Sequence, residues 1–133
     1  MQDYIKLLKQ NNLKATVQRT AILKSINDAG HINIDGIYSS IRSQYPTISL
    51  ATVYKNIVVM LEHGVILEVP ISREKSKYEL KKDDHMHIIC KSCGGIKDID
   101  LTRDKMKLLD IKNFNLSYAQ INLYGICKKC QSK

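Results

Sequence analysis

The sequence predicts an α+β fold, with a helical first half that ends in a β-hairpin and a strand-rich second half. Two observations predict the first half: its helical segments follow capping residues, and the last of them precedes two short strands. The third observation is that all four cysteines form two Cys-x-x-Cys pairs in the second half. We place one domain at residues 1–78 and another at residues 79–133.

Four helices are predicted in the first half, each from a cap followed by apolar positions at helical spacing. Gly30 and Gly64 supply the stops of the second and fourth helices. Pro46 breaks the chain after the third. The helices are expected from Asp3 to about Asn11, after Thr16 to about Ala29, after Asn33, and from Leu50 to about His63.

The fourth helix, capped by Ser49, has side chains that suit contact with nucleic acid. Its predicted inward stripe comprises Leu50, Val53, Ile57 and Leu61. Near its start are Thr52, Tyr54, Lys55 and Asn56. Such side chains reach phosphates or base edges when a helix N-terminus enters a major groove. In the alternative interpretation, Tyr54 belongs to the core and Lys55 is merely solvated.

The predicted hairpin favours the nucleic-acid interpretation. Its strands are Val65–Val69 and Lys77–Leu80, and the loop from Ser72 to Ser76 offers Arg73 and Lys75 for backbone contacts. Helices followed by such a hairpin indicate a winged helix-turn-helix. The formal charge of +8 fits a polyanionic partner but is weak support alone, because most of the excess lies beyond residue 69. No apolar run approaches the roughly 20 residues of a membrane span, so a soluble, cytoplasmic protein is expected.

The second half is predicted to form a small α/β module that could bury an interface. Strands are expected at His85–Cys90, at Ile96–Leu101 and from Leu116 to Ile126. A helix is expected from Thr102 to about Asp110.

The paired cysteines Cys90, Cys93, Cys127 and Cys130 predict a structural zinc site. A two-residue gap lets both thiolates of a pair face one cation, and two pairs complete the tetrahedral shell that zinc prefers. The alternatives are a redox dithiol or two disulfides. A disulfide across two residues is strained, and no secretory signal suggests an oxidising compartment.

Histidines and carboxylates suggest a second metal site. His85 and His87 share one face of a predicted strand. His31 and several nearby carboxylates, Glu79, Asp83, Asp84 and Asp98, could join them. Imidazole with carboxylate suits iron, manganese or zinc. The alternative is a pair of solvated strand histidines.

These segments together resemble the ferric uptake regulator family of metal-dependent bacterial repressors over nearly the whole chain. The resemblance rests on the segments at residues 13–19, 48–56, 62–64, 85–87, 90–94 and 123–127. Val17 departs from the proline that the family usually has at the start of the second helix. Ala119 and Met86 replace residues of a third metal site found in some members, so that site is expected to be absent.

The resemblance implies a winged-helix DNA-binding domain, a small α/β dimerisation domain with structural zinc, and a palindromic operator read by a homodimer. The implied regulatory site for Fe²⁺ or Mn²⁺ comprises His31, Glu79, His85, His87 and Asp98. Arg19 and Tyr54 match positions associated with DNA contact, and Lys14 is expected to contribute with Thr52, Lys55 and Asn56.

The family includes sensors of peroxide and of iron availability, and the sequence favours the first. The four-cysteine cage, the missing third site and Asp98 resemble peroxide sensors. In these, iron-catalysed oxidation of a ligand histidine, here His31 or His85, releases metal and DNA. Glu79 resembles iron sensors instead. Outside the family, the alternatives are a thiol oxidoreductase, a metal hydrolase and a zinc-ribbon scaffold without sensing.

Overall fold

The computed structural model of the chain describes residues 3–71, 73–82, 85–101, 107, 111–116 and 119–132. The chain forms two compact units, residues 1–81 and residues 82–133. The boundary predicted between residues 78 and 79 falls inside the strand Lys77–Leu80, so Glu79 lies in the first unit.

The first unit begins with four helices, each started by a side-chain cap as the sequence predicts. The caps Asp3, Thr16, Asn33 and Ser49 accept a hydrogen bond from the backbone N–H three residues on, which satisfies a donor that the helix leaves unpaired. The helices are α1 (Tyr4–Gln10), α2 (Val17–Ala29), α3 (Ile34–Arg42) and α4 (Leu50–Glu62). Within the described residues, none is long and apolar enough to cross a membrane.

The inward face of α4 differs in part from the prediction. Val53, Ile57 and Met60 are fully buried, whereas Leu50 is 42% exposed. Leu61 is half-buried at the edge of the core. The prediction was therefore wrong for Leu50, which lies at the exposed start of the helix, and Met60 is a core residue that the predicted stripe did not include.

A single apolar cluster packs these helices together. Its fully buried members from α1, α2 and α3 are Leu8, Ile22, Leu23, Ile26 and Ile37. Burying one such side chain stabilises the fold by about 1.5–3 kcal/mol. Packing of this cluster, rather than helix propensity, therefore holds the four short helices.

A three-stranded antiparallel sheet completes the first unit. Its strands are β1 (Ile32–Asn33), β2 (Ile66–Val69) and β3 (Lys77–Leu80), in the order β1-β3-β2. Gly64, at φ +71°, gives the turn between α4 and β2 a left-handed backbone that favours glycine. The sequence did not predict β1, since two residues carry no alternation. Helices α2–α4 with the β2–β3 hairpin form the predicted winged helix-turn-helix.

The second unit contains another three-stranded sheet, in the order β5-β4-β6. Its strands are β4 (His85–Cys90), β5 (Ile96–Asp100) and β6 (Ile121–Gly125), and a short helix α5 (Lys128–Gln131) follows. Strand β5 runs antiparallel to β4, whereas β6 runs parallel to it. The prediction of strand from Leu116 was wrong for the described residues before Ile121. The helix predicted from Thr102 to Asp110 lies outside the described residues except for Lys107.

Candidate metal centres and nucleic-acid interface

The four cysteines come together because parallel pairing aligns the ends of two strands. Cys90 ends β4 and pairs with Gly125 at the end of β6, and the N–H of Lys91 donates to the Gly125 carbonyl at 2.8 Å. The turn after β4 brings Cys93 back, and Cys127 caps α5, which carries Cys130. All four sulfurs lie within 4.8 Å of one another.

The electrostatics of this cluster fit a divalent cation. The Cys90 sulfur accepts N–H hydrogen bonds from Cys127 and Cys93, which lower its pKa to about 6. The hydrogen bond with Ser92 lowers the pKa of Cys130, but the hydrogen bonds with the other three cysteines together with desolvation raise it to about 12. Four converging thiols cannot all ionise unless a cation neutralises them, and four thiolates are a preferred shell for zinc.

The cysteines are free thiols, and the sulfurs of Cys93 and Cys127 are 3.9 Å apart. The two-disulfide alternative therefore does not describe this structure. The convergence of both pairs on one centre favours a metal cage over separate redox dithiols.

A second set of ligand atoms lies on β4 and β5. His85 and His87 are buried on one face of β4, with Nε2 atoms 3.0 Å apart. Asp98 pairs with His87 in the antiparallel register, and its Oδ1 lies 3.6 Å from His87 Nε2 and 4.0 Å from His85 Nε2. Ligands about 2.1 Å from one ion at right angles lie about 3 Å apart. Two imidazoles and one carboxylate suit iron or manganese.

Two neighbouring side chains contact these ligands. Asn122 lies opposite His87 in the parallel β4–β6 pair, and its Oδ1 is 3.0 Å from His87 Nδ1. Lys82 forms an ion pair with Asp98 Oδ2, the carboxylate oxygen not facing the histidines. A cavity of about 210 Å³ opens here, lined by Lys82, His85, Asp98 and Asp100. The sequence analysis missed Asn122, because only the strand register reveals its partner, and Lys82, because nothing in the sequence indicates its ion pair with Asp98.

The remaining predicted ligands, His31 and Glu79, are brought together within the first unit. The antiparallel pairing of Ile32 with Tyr78 places His31 opposite Glu79. His31 Nε2 lies 2.7 Å from Glu79 Oε2, and Glu79 is only 1% exposed. The unpredicted strand β1 therefore explains how two residues 48 positions apart meet. Asp83 and Asp84, also considered as ligands, lie outside the described residues.

The predicted nucleic-acid residues cluster around the start of α4. Tyr54 is 55% exposed, which contradicts the alternative that it belongs to the core. Lys14 and Lys55 are also exposed, and Thr52 is half-buried. A polar cavity of about 340 Å³ lies beside Thr52 and is lined largely by the turn 44–49. The loop before β3 carries Arg73 and Lys75, whereas Ser72 lies outside the described residues.

Arg19 and Asn56 form a hydrogen-bonded connection between α2 and α4. Arg19 Nε donates to Asn56 Oδ1 at 3.1 Å, and Asn56 Nδ2 donates to the Thr52 carbonyl at 3.0 Å. Arg19 Nη1 also donates to the carbonyl of Lys14. The Asn56 amide is thus bonded at both ends within the protein, while Arg19 retains further N–H donors that a phosphate could accept.

A winged helix-turn-helix followed by a strand-rich unit with metal ligands defines the class of metal-dependent DNA-binding regulators. The chain belongs to the ferric uptake regulator family, whose sequence model matches residues 10–124. The match confirms the family suggested by the sequence motifs.

Individual relatives cover nearly the whole chain. The peroxide-responsive repressor of Staphylococcus saprophyticus is 34% identical, covering 100% of this chain and 93% of its own length. The Campylobacter jejuni peroxide stress regulator is 34% identical with a TM-score of 0.73, covering 97% of this chain and 100% of its own. The Vibrio cholerae ferric uptake regulator is 28% identical with a TM-score of 0.76, covering 94% and 100%. These structures confirm the predicted fold class, and all three relatives are named as regulators rather than enzymes.

Proposed function

We propose that this protein is a metal-dependent transcriptional repressor that binds a palindromic operator as a homodimer and responds to hydrogen peroxide. The observation that carries the proposal is the convergence of His85 Nε2, His87 Nε2 and Asp98 Oδ1. Two imidazoles and a carboxylate bind Fe²⁺ or Mn²⁺ while leaving coordination positions for other ligands. The four-cysteine cage holds zinc and stabilises the second unit.

The proposed regulatory site comprises five ligands. The family resemblance assigns His31 and Glu79 to it together with His85, His87 and Asp98. A metal bound by ligands from both units favours the arrangement of the dimer that fits the operator. Shifting the dimer from about 1:99 to 99:1 in favour of the operator-binding arrangement requires about 5.5 kcal/mol of differential metal affinity. Metal ligands that are available only in that arrangement would supply this difference.

Peroxide acts on the ligands themselves. Bound Fe²⁺ supplies the redox chemistry that activates hydrogen peroxide. One peroxide oxygen enters a ring C–H bond of His31 or His85, and the other leaves as water. The oxidised imidazole is a poorer ligand, so metal and operator are released. Buried His85, beside a 210 Å³ cavity that admits a small oxidant, suits this role.

The relatives favour peroxide as the signal, whereas Glu79 favours iron availability. The two relatives at 34% identity are both named for peroxide. Glu79 resembles iron-availability sensors, and its buried carboxylate contacts His31 directly. An iron-availability repressor is therefore the second candidate function.

DNA contact is proposed through the start of α4 and the residues beside it. Exposed Tyr54, Lys55 and Lys14 suit base-edge and phosphate contacts. Arg19, oriented by Asn56, suits a phosphate contact, and Thr52 lies beside the polar cavity.

Replacing one ligand tests the metal dependence. His85→Ala should abolish Mn²⁺-dependent operator binding in a fluorescence anisotropy titration, while zinc content and dimerisation persist. The matched control is His63→Ala, which removes the one histidine outside the proposed site. His63 Nδ1 contacts the Asn11 carbonyl at the end of α1. Unchanged operator affinity in His85→Ala would contradict the proposal.

The intact mass of iron-loaded protein distinguishes the two candidate signals. After anaerobic loading with Fe²⁺ and one equivalent of hydrogen peroxide, the mass should increase by one oxygen atom, mapping to His31 or His85. Protein loaded with Mn²⁺ should remain unmodified. If Fe²⁺ is bound and the mass does not change, the iron-availability function replaces the peroxide function.

A further inference from the structure

The partner of His87 on the neighbouring strand has no assigned role. His87 is 1% exposed, and its ring presents Nε2 to His85 and Asp98. Its other nitrogen, Nδ1, lies 3.0 Å from Asn122 Oδ1. The parallel pairing of β4 with β6 sets this contact, because His87 and Asn122 are direct partners in the register.

The hydrogen bond determines which ring nitrogen can bind a metal. An amide oxygen only accepts, so the proton between these two residues belongs to His87 Nδ1. In the neutral ring, Nε2 then carries the lone pair and faces the other two ligand atoms. An acceptor at this position both selects the tautomer and fixes the plane of the ring.

We propose that Asn122 is a positioning residue that holds His87 in the Nδ1–H tautomer and thereby presents Nε2 to the regulatory metal. The amide also tunes the strength of the site. A carboxylate at this position would hold the same tautomer and make the imidazole a stronger electron donor. The neutral amide orients the ring without adding negative charge. This inference rests on the proposed function.

Substitutions at position 122 distinguish a role of the side chain in orienting His87 by hydrogen bonding from a role in packing alone. Mn²⁺ affinity is measured by competition with a fluorescent chelator in the full-length, zinc-containing protein. Asn122→Leu keeps the size of the side chain but removes the acceptor, and should weaken Mn²⁺ binding about 10- to 100-fold. Asn122→Asp restores the acceptor and should bind at least as tightly as wild type. Asn115→Leu, at an exposed position in the same unit, should leave the affinity unchanged.

The tautomer is read directly in wild-type protein. With ¹⁵N-labelled histidine, the zinc-containing protein at about pH 8 without regulatory metal should show His87 protonated at Nδ1. Predominant protonation at Nε2 would overturn the inference. So would Mn²⁺ affinity of Asn122→Leu within twofold of wild type, or equal weakening in Asn122→Leu and Asn122→Asp. If Asn122→Leu loses its structural zinc, the inference is judged instead from the Mn²⁺ affinity of Asn122→Asp and from the His87 tautomer of the wild-type protein.

A ligand variant distinguishes failure of this inference from failure of the proposed function. His87→Ala should lose the Mn²⁺ site. If His87→Ala binds Mn²⁺ as wild type does, both the proposed function and the role of Asn122 fail. If His87→Ala loses the site while Asn122→Leu retains it, the role of Asn122 alone fails.

Discussion

The two oxygens of the Asp98 carboxylate have different surroundings. Oδ1 faces His87 and His85, whereas Oδ2 accepts an ion pair from Lys82. Lys82 therefore competes for the carboxylate and favours binding of a metal through one oxygen only. The lysine side chain is half exposed, so the ion pair contributes at most about 1 kcal/mol.

Removing this lysine should tighten metal binding. Lys82→Met frees Oδ2 and leaves Asp98 without its neutralising charge, so Mn²⁺ affinity in a chelator competition should rise about two- to fivefold, as expected for up to about 1 kcal/mol. Lys97→Met is the control, since it removes the same charge from an exposed position adjacent to Asp98 on β5. Equal tightening in both variants would instead indicate a general charge effect.

The sequence predicted ligand types better than the residues that position them. The cysteines were recognisable because the spacing itself carries the chemistry. Asn122 carried no such signal, because its role depends on parallel pairing with a residue 35 positions earlier. Lys82 was equally hidden among the lysines of a basic chain. The contact of Asn56 with DNA stays a prediction, and the sequence did not indicate that its amide is bonded to Arg19 and Thr52.

At the scale of elements, local chemistry predicted where helices begin. The four caps act within three residues, so the sequence alone contains their partners. Strand limits depend on pairing between distant segments, which explains the late start of β6 and the missed β1. The burial of Leu50 and Met60 on α4 was misjudged for the same reason, because the extent of the core is a tertiary property.

The cap of α4 offers a test of this local control. Ser49 Oγ accepts the Thr52 N–H at 3.1 Å, and Ser49→Ala should destabilise the protein by about 1 kcal/mol. Urea unfolding followed by helical circular dichroism measures the effect. Ser39→Ala, at an exposed interior position of α3, should be neutral or slightly stabilising because alanine favours helix interiors. Equal losses in the two variants would contradict a capping role for Ser49.

The whole molecule combines two units with different sources of stability. The first unit has an extensive apolar cluster drawn from all four helices and its sheet. Among the described residues of the second unit, the buried apolar side chains are Ile89, Cys90 and Leu101, and the buried polar ones are His85 and His87. A unit of about 50 residues gains much of its stability from any further link, and zinc held by the four cysteines would supply one.

Loss of zinc should therefore unfold the second unit selectively. Structural zinc contributes about 10–16 kcal/mol of binding free energy, which is comparable with the whole stability of a typical domain. Cys93→Ser replaces one sulfur by a weaker oxygen ligand and should release zinc to a chromogenic chelator. Amide hydrogen exchange should then lose protection in β4–β6 and retain it in α2–α4. Lys91→Ala alters an exposed side chain of the same turn that is not a ligand, and should keep both the zinc and the protection. Uniform loss of protection in Cys93→Ser would show that the first unit cannot fold without the second, and retained protection throughout would show that zinc is dispensable.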